Sequence, residues 1–470
     1  MLNKPVTRRS ASSSLADPVA RSLGAQEVRV QMGSMAGSLI ATVVDMPAHL
    51  EEDAEGGSFR VHRSAYRSLS VFEAERRRIW GRCWLYLGHS SELPEPGDYL
   101  VRTVGGRQLI FLRDSDGQIQ SFLNACPHRG TAICREPAGN AQRLRCFYHA
   151  WTFDTKGRLV SLPSPESYPS NASVKERLGL RPVPRLAVEH DFVFISFDAQ
   201  APDLARYLGD AAEFLGLVAD HSSDGMRVVP GTQCYFSRAN WKLGIENAMD
   251  GYHFAPSHIT FLEYLQRTGF TTSDKGGRGL VLENGHVVGI QNGHSGRIGF
   301  DWEPRFGEKE RERIEANRKE IFARLDRDRA SFIADFSRTL FVFPNLLLFD
   351  IEGISIRRIE PVAPDLTEIS AYALAPVGEP AEALALRLKT LVSFIGPGGL
   401  ATPDDLEAQE AVQRGIAATA GDSRPGVDWN DVSRGMAADA AGDPIRTIDE
   451  GRVRAFWRHW ASMVEETGEG

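Results

Sequence analysis

Between Tyr99 and Pro163 apolar and polar residues alternate in short runs separated by glycine turns. "YLVRTV" and "RQLIFLRD" each carry a two-residue period, and Asp116-Gly117 stands where a tight hairpin turn belongs. "WTFDTKGRLVSLP" (Trp151 to Pro163) repeats the arrangement. Upstream, "SVFEAERRRIWGRCWLYLGHSSELPEPGDYL" (Ser70 to Leu100) predicts a charged helix running into a strand and then a Pro/Gly turn. The stretch from about Ala65 to Pro184 therefore reads as a small antiparallel β domain, closed by the linker-like "LGLRPVPRL".

After Ala187 the periods change. "LAVEHDFVFISFD" predicts a strand pair and "LARYLGDAAEFLGLVADH" a helical stretch. "NWKLGIENAMDGYH" predicts a helix with two faces. Trp241, Ile245, Ala248 and Tyr252 make its apolar stripe; Lys242, Glu246, Asp250 and His253 make its polar stripe. Gly276 to Gly299 is Gly-rich without a period and reads as a mobile lid. "IEGISIRRIEPVAPDLTEISAYALAP" alternates as antiparallel strands, and the chain from Pro403 is mostly helical. No internal repeat is present. The fold class is α+β. A small antiparallel β domain (58–185) precedes a larger domain (186–470) with an antiparallel sheet covered by helices.

A chain of 470 residues, 42% hydrophobic and 25% charged, can build two or three domains with a sizeable core. A net charge of −8 and a pI of 5.9 argue against non-specific nucleic-acid binding and against a membrane-surface role. No apolar run reaches transmembrane length, since "TLFVFPNLLLFD" (Thr339 to Asp350) is broken by Pro344. Residues 1–57, which open "MLNKPVTRRSASSSLADPVARSLG", are rich in Ser and Arg and poor in acids, as a transit peptide is, but read as a disordered extension, or as an upstream start with translation beginning near Met32 or Met46. Nothing in them resembles a secretory signal, so a cytoplasmic location is expected. The five cysteines, Cys83, Cys126, Cys134, Cys146 and Cys234, are too few and odd in number for a disulfide scaffold. In a reducing compartment, spaced Cys and His point to metal binding.

"CPHRG" supplies Cys126 and His128, and "CFYHAW" supplies Cys146 and His149. Each pair falls between β segments, where loop tips converge, and residues two apart in an extended loop project to the same side. Two such loops could pinch a two-iron cluster, with the cysteines on one iron and the histidines on the other. Zinc is the rival, yet zinc patterns commonly open C-x₂₋₄-C, and the one-residue gap to a histidine fits them poorly. Buried thiols beside surface histidines are the bland alternative, and four soft ligands at this spacing rarely coincide.

"ENAMDGYHFAPSHIT" (Glu246 to Thr260) holds two more histidines, His253 and His258. On a continuous helix such residues lie about 140° apart and share no ligand. Pro256 cannot continue the helix that ends near His253, so the chain is expected to turn there and swing His258 back. Far downstream is "GPGGLATPDDLEAQEAVQRG" (Gly396 to Gly415). Locally Thr402 reads as an N-cap, Pro403 as the first helical residue, and Asp404 and Asp405 as acids that complement the helix dipole.

Together these motifs resemble one family. "CPHRG" and "CFYHAW" are similar to the two cluster loops of Rieske oxygenases, and "WLYLGHSSELPEPGDYL" to the segment before them. "NWKLGIENAMDGYHFAPSH" and "GPGGLATPDD" resemble the two halves of the mononuclear iron site of Rieske non-haem iron aromatic-ring-hydroxylating oxygenases, large (α) subunit. The resemblance covers the chain after about residue 58. One departure is Ala150, where the family has glycine after the second histidine.

The resemblance implies a [2Fe–2S] Rieske cluster on Cys126, His128, Cys146 and His149. It implies a mononuclear Fe(II) on His253, His258 and Asp405, a facial triad that leaves adjacent positions open. It implies that Asp250 is the electron bridge between the two centres, joining His253 to His149 of the partner subunit. Glu246 and Asn247 are weaker candidates near the ligands, and Phe261, Leu262, Leu265 and Ile395 are candidate pocket walls. The implied activity is that of a terminal oxygenase, which uses O₂ and electrons from a ferredoxin and/or reductase to cis-dihydroxylate an aromatic compound. "GGRGLVLENG" lacks the dinucleotide fingerprint, so NAD(P)H acts only through a partner reductase. A homotrimer, or α3β3 with a small β subunit, is expected. Cys83, Cys134 and Cys234 are then core thiols, and Arg357 and Arg358 sit in a strand pattern with no assigned direction. The alternatives are a monooxygenase or demethylase on the same scaffold, a Rieske electron carrier without oxygenase activity, and a zinc-stabilised module.

Overall fold

The computed structural model describes residues 49–168, 177–269, 276–292, 297–422 and 424–465. The alternating region folds into antiparallel strands. Asp98–Val104 pairs with Arg107–Arg113, that strand pairs with Ile119–Leu123, and Ala138–Asn140 forms the outer edge. The turn at Asp116-Gly117 is held by the buried Asp114 carboxylate, which accepts from Asp116 N (2.8 Å) and Gln118 N (2.9 Å). A second small sheet joins Arg143–Arg145, Thr152–Asp154 and Leu159–Ser161. A core of its own, including Ile110, Phe122, Leu144 and Phe153, sits under both cysteines of the loop motifs.

Leu85–His89 pairs with Phe192–Ser196, which pairs with Arg185–Glu189, so segments from both sides of the linker-like stretch share one sheet. Leu50–Asp53 pairs with Ser58–His62, which pairs with Trp429–Asp431. Ordered structure therefore begins before residue 58, which corrects the extension expected through residue 57. Asp53 Oδ1 accepts Gly56 N at 2.8 Å to hold the turn, and Phe59 and Val61 are fully buried. The remainder of that extension, residues 1–48, lies outside the described residues.

The large sheet has eight antiparallel strands among the described residues. Its order is Met226–Val228, Leu366–Pro376, Ile354–Ala363, Leu346–Asp350, Phe336–Val342, Val287–Asn292 and Gly277–Val281, with Gln233–Ser237 also pairing with Leu366–Pro376. The mobile lid expected over Gly276 to Gly299 is corrected, because Gly277–Val281 and Val287–Asn292 form a paired hairpin at the sheet edge. Residues 293–296 of that stretch lie outside the described residues. Its glycines serve close packing: Gly279 and Gly289 face each other across the pair, and a Cβ on Gly289 would sit 2.3 Å from Arg452 Nη1.

Helices Trp241–Met249, Thr402–Ala418 and Gly451–Glu465 pack on this sheet. The two members of the polar stripe that lie within the first helix, Lys242 and Glu246, point into the core. Lys242 is fully buried against Glu75, and Glu246 accepts from Tyr66 Oη (2.7 Å) and Trp457 Nε1 (2.8 Å). Burial pushes the Glu246 carboxyl up to about 7. Tyr252, assigned to the apolar stripe, is exposed. Cys83 and Cys134 are core thiols as expected, whereas Cys234 is exposed on a strand. Among the described residues no helix is long and apolar enough to cross a membrane.

Candidate metal centres

The two loops of the first centre are built alike. Gly130 N donates to Cys126 O (2.8 Å) and Cys126 N to Thr131 O (2.8 Å); Ala150 N donates to Cys146 O (3.0 Å) and Cys146 N to Trp151 O (2.8 Å). The fifth residue of each loop has positive φ, 73° at Gly130 and 57° at Ala150. That conformation suits glycine and costs alanine about 1 kcal/mol, which gives the departure at Ala150 a physical consequence. Cys126 and Cys146 are buried, and the half-buried His128 and His149 rings have centroids 4.5 Å apart. His128 stacks on Trp151 (4.8 Å, 5°), and His149 lies against the exposed Tyr148 (3.8 Å). Burial raises the Cys126 thiol pKa and lowers that of His128, aided by His149. A thiol so raised ionises readily only against a cation, and neutral imidazole is the ligating form, so this donor set fits a mixed Cys/His iron cluster.

The second centre forms where a helix stops. Trp241–Met249 ends before His253, and Pro256 lies inside a separate turn of helix, Phe254–Ser257, which corrects the break expected at the proline. Asp250 leaves helical geometry (φ −97°, ψ 108°) and its Oδ1 accepts Tyr252 N at 2.6 Å, while Gly251 N donates to Thr447 O at 3.0 Å. His253 and His258 flank the short turn with their rings 5.3 Å apart. Asp405 Oδ1 lies 3.4 Å from His253 Nε2 and 3.2 Å from His258 Nε2, and the three ligand atoms fall within 4.8 Å of one another. Two imidazoles and one carboxylate converging this way fit a non-haem Fe(II) site.

Each ring's other nitrogen faces a second acid. His253 Nδ1 is 3.6 Å from Asp250 Oδ2, and His258 Nδ1 is 3.4 Å from Asp404 Oδ2. Asn247 Nδ2 donates to Asp405 Oδ1 at 3.1 Å. Burial lowers the His253 pKa, but Asp250 and Asp405 outweigh it and lift the ring to about 9; Asp405 is in turn held below the usual carboxylate range by the two histidines against its own burial. The helix that carries Asp405 starts at Thr402, with Ala401 in the capping position. Thr402 is therefore not the N-cap: its hydroxyl donates to Ile395 O (2.9 Å) and accepts from Arg357 Nη2 (3.0 Å). Asp404, read from sequence as a dipole acid, is a partner of His258 that local sequence could not show.

These residues border a cavity of about 710 Å³. Phe261, Leu262, Leu265 and Ile395 line it, as do Phe394, stacked on Phe261 (4.3 Å), and one face of the large sheet, with Leu347, Phe349, Ile359 and Ile369. Leu347 and Phe349 lie two apart on one strand, and Arg357 and Ile359 two apart on the next, as a two-residue period requires of residues on one face. The same parity turns Arg357 toward the cavity, while Arg358 bonds Thr103 O and Ser370 Oγ elsewhere.

A mixed Cys/His cluster site and a two-histidine, one-carboxylate site on an apolar cavity define a Rieske-type non-haem iron oxygenase. Known proteins agree: the Rieske [2Fe-2S] domain matches residues 83–176, and the ring hydroxylating alpha subunit (catalytic domain) matches residues 218–466. The chain belongs to the ring-hydroxylating α subunits, the large terminal-oxygenase components of aromatic-ring dioxygenases. It is 32% identical to the toluate 1,2-dioxygenase α subunit of Pseudomonas putida over 82% of this chain and 84% of that one. It is 30% identical to the 2-halobenzoate 1,2-dioxygenase large subunit of Burkholderia cepacia, covering 82% of each. Its fold matches naphthalene 1,2-dioxygenase from a Rhodococcus species bound to indole, with a TM-score of 0.74, 28% identity, and coverage of 87% of this chain and 95% of that one. Membership implies a Rieske cluster and a mononuclear iron, O₂ and an aromatic substrate, electron-transfer partners and an oligomeric assembly.

Proposed function

We propose that this α subunit adds both atoms of O₂ to an aromatic ring as a cis-dihydrodiol, with His253, His258 and Asp405 holding the iron beside the ring. The observation that carries the reading is the convergence of these three residues on the wall of an apolar cavity. Cys126, Cys146, His128 and His149 are assigned to the cluster. When bound, the cluster supplies single electrons and the mononuclear iron supplies the oxygen chemistry. The chain's own residues do the rest. Asp250 and Asp404 hold the two imidazoles in the orientation that aims Nε2 at the metal position. Phe261, Leu265 and Phe394 keep water away and present the ring.

Asp250 is assigned as the hydrogen-bonding link to His149 of the partner subunit. Its side chain is one-quarter exposed, which leaves an oxygen within reach of a neighbour. That assignment brings with it a homotrimer or α3β3 assembly, a ferredoxin and/or reductase drawing on NAD(P)H, and a cytoplasmic setting. The division into 58–185 and 186–470 belongs to the same reading, supported by family matches falling on either side of residue 185.

The test is iron and labile-sulfide analysis of the wild type and of His253→Ala, together with product analysis under ¹⁸O₂ using a surrogate reductase. The substrate panel includes toluate and 2-halobenzoate, after which the two relatives are named, and neutral hydrocarbons. The wild type is expected to place label in both new hydroxyls. His253→Ala should keep the cluster spectrum and lose turnover. An intact cluster spectrum with electron transfer but no oxygenated product from either form would make the chain a carrier, unchanged product formation in His253→Ala would remove the iron-site assignment, label in one hydroxyl would make it a monooxygenase, and zinc without iron or sulfide would remove the reading altogether.

A further inference from the structure

Four arginines line the cavity, and they are not equivalent. Arg338 is committed to a buried ion pair with Asp350. Arg357 uses Nη2 on Ile395 O and Thr402 Oγ1, both at 3.0 Å. Arg434 is exposed, stacks on the Tyr252 ring, and donates from Nε to Ile448 O (2.7 Å). Arg452 is 3% exposed, forms no ion pair among the described residues, and donates only to Thr447 O, at 3.2 Å from Nη2. Its buried Nε has no partner, which is equally true of Arg357 Nε, but Arg357 is only half-buried and its guanidinium lies over the Phe349 ring (4.7 Å). A guanidinium carries five N–H donors, and burying them without an anion is unfavourable.

The sheet makes room for this group. Gly279 and Gly289 are a cross-strand pair, and a Cβ would lie 2.8 Å from Arg452 Cδ at the first and 2.3 Å from Arg452 Nη1 at the second. Any larger residue at Gly289 would collide with the guanidinium itself. Burial lowers the Arg452 pKa to about 10, against which Asp250 acts, so the side chain is cationic at neutral pH. Asp250 is already turned to Tyr252 N and His253.

We propose that Arg452 is the anchor for a carboxylate on the substrate, so that the cavity selects aromatic acids over neutral aromatic compounds. The planar fork of the guanidinium matches a carboxylate edge to edge, and the apolar walls take the ring. The proposal rests on the ring-hydroxylation reading above. A competing role exists for the same residue: Thr447 O also accepts Gly251 N at 3.0 Å, so Arg452 could merely stiffen the turn that carries Asp250.

The experiment separates these roles. Holoenzyme of the wild type, Arg452→Met and Arg452→Lys is titrated anaerobically, by calorimetry, with benzoate and 1-naphthoate and with benzamide and 1-naphthamide; KM and kcat are measured for the same four compounds. The wild type is expected to bind at least one acid at least tenfold more tightly than its amide. Arg452→Met should erase that preference, with amide binding moved less than threefold, and Arg452→Lys should restore part of it. Equal wild-type affinity for every acid and its amide would overturn the proposal. So would equal weakening of acid and amide in Arg452→Met, which is the signature of the turn-stiffening role. If Arg452→Met does not fold, the wild-type comparison and the lysine variant decide. Diol formation without any acid preference would sink the anchor and leave the oxygenase reading standing. Arg452-dependent acid binding with no oxygenated product would do the reverse.

Discussion

Replacing Lys242 by Met should destabilise the protein by about 3–5 kcal/mol, the range for stranding one member of a buried ion pair. Lys242 Nζ lies 2.5 Å from Glu75 Oε1, and both side chains are at most 1% exposed. Glu75 also accepts from Trp460 Nε1 (2.7 Å) and Trp241 Nε1 (3.0 Å), so this carboxylate ties together helices Leu69–Arg78, Trp241–Met249 and Gly451–Glu465. Burial pulls the Lys242 pKa down while Glu75 opposes it, consistent with a charge retained only by its partner. Methionine fills nearly the volume of the lysine stem, so little of the loss comes from a cavity. Glu75 would be left with two neutral donors for a full charge. Adding Glu75→Gln removes that charge and keeps an acceptor for the indoles. The double variant should therefore lie within about 1–2 kcal/mol of wild type. Guanidinium unfolding followed by tryptophan fluorescence measures each corner of the cycle. A loss below about 1 kcal/mol in Lys242→Met, or simple addition of the two single effects, would refute the reasoning.

The acids behind the two imidazoles should act on metal affinity and turnover separately. Asp404→Asn is expected to weaken Fe(II) binding about 10–100-fold in a chelator competition, with the cluster absorbance unchanged. Asp250→Asn should keep both metals and lose turnover; full turnover with both metals bound would remove its bridging role. Ala150→Gly should stabilise the cluster loop by about 0.5–1 kcal/mol, read as a higher Tm, because φ there is 57°. Stability should also fall as pH drops from about 6.5 toward 4. His286 accepts Phe343 N on Nδ1 (3.0 Å) and therefore donates from Nε2 to Tyr207 O (2.9 Å), a neutral tautomer, and burial lowers its pKa to about 4. The folded protein then binds fewer protons than the unfolded chain between those values. The contribution, about 3 kcal/mol, is present above 6.5 and lost as pH falls through 4. An acid titration of the unfolding midpoint that is flat across this window would contradict it.

Local rules carried far in this chain. The hairpin at Asp116-Gly117, the strand run before each cluster loop and the C-x-H and C-x-x-H pairs depend on neighbours within a few residues, so alternation and turn chemistry expose them. The Cys126/His128, Cys146/His149 and His253/His258 pairs stand out as residue kinds at particular spacings, whereas Asp405 reads locally as a helix-dipole acid and only the family resemblance singles it out. The fold class followed from the switch between two-residue and helical periods.

What the linear pattern could not settle depends on partners distant along the chain. The helix before His253 stops at Met249 because Asp250 caps its own turn and Thr447 O receives Gly251 N. Pro256 was the visible breaker but not the operative one. Lys242 and Glu246 read as part of a polar stripe with no partners in view, and Glu75, Tyr66 and Trp457 arrive from other helices to satisfy them in the core. Gly276 to Gly299 read as a lid because glycine signals flexibility as readily as close approach; only the placement of Arg452 shows which applies at Gly279 and Gly289. Alternation marked the strands around Arg357, but register across the sheet chose which parity faces the cavity. The sequence by itself determined which chemical groups the protein owns and the local bends that present them. Tertiary structure decided which of them meet, which are buried without a partner, and that Asp404 stands behind His258, because those properties are set by contacts between residues far apart along the chain.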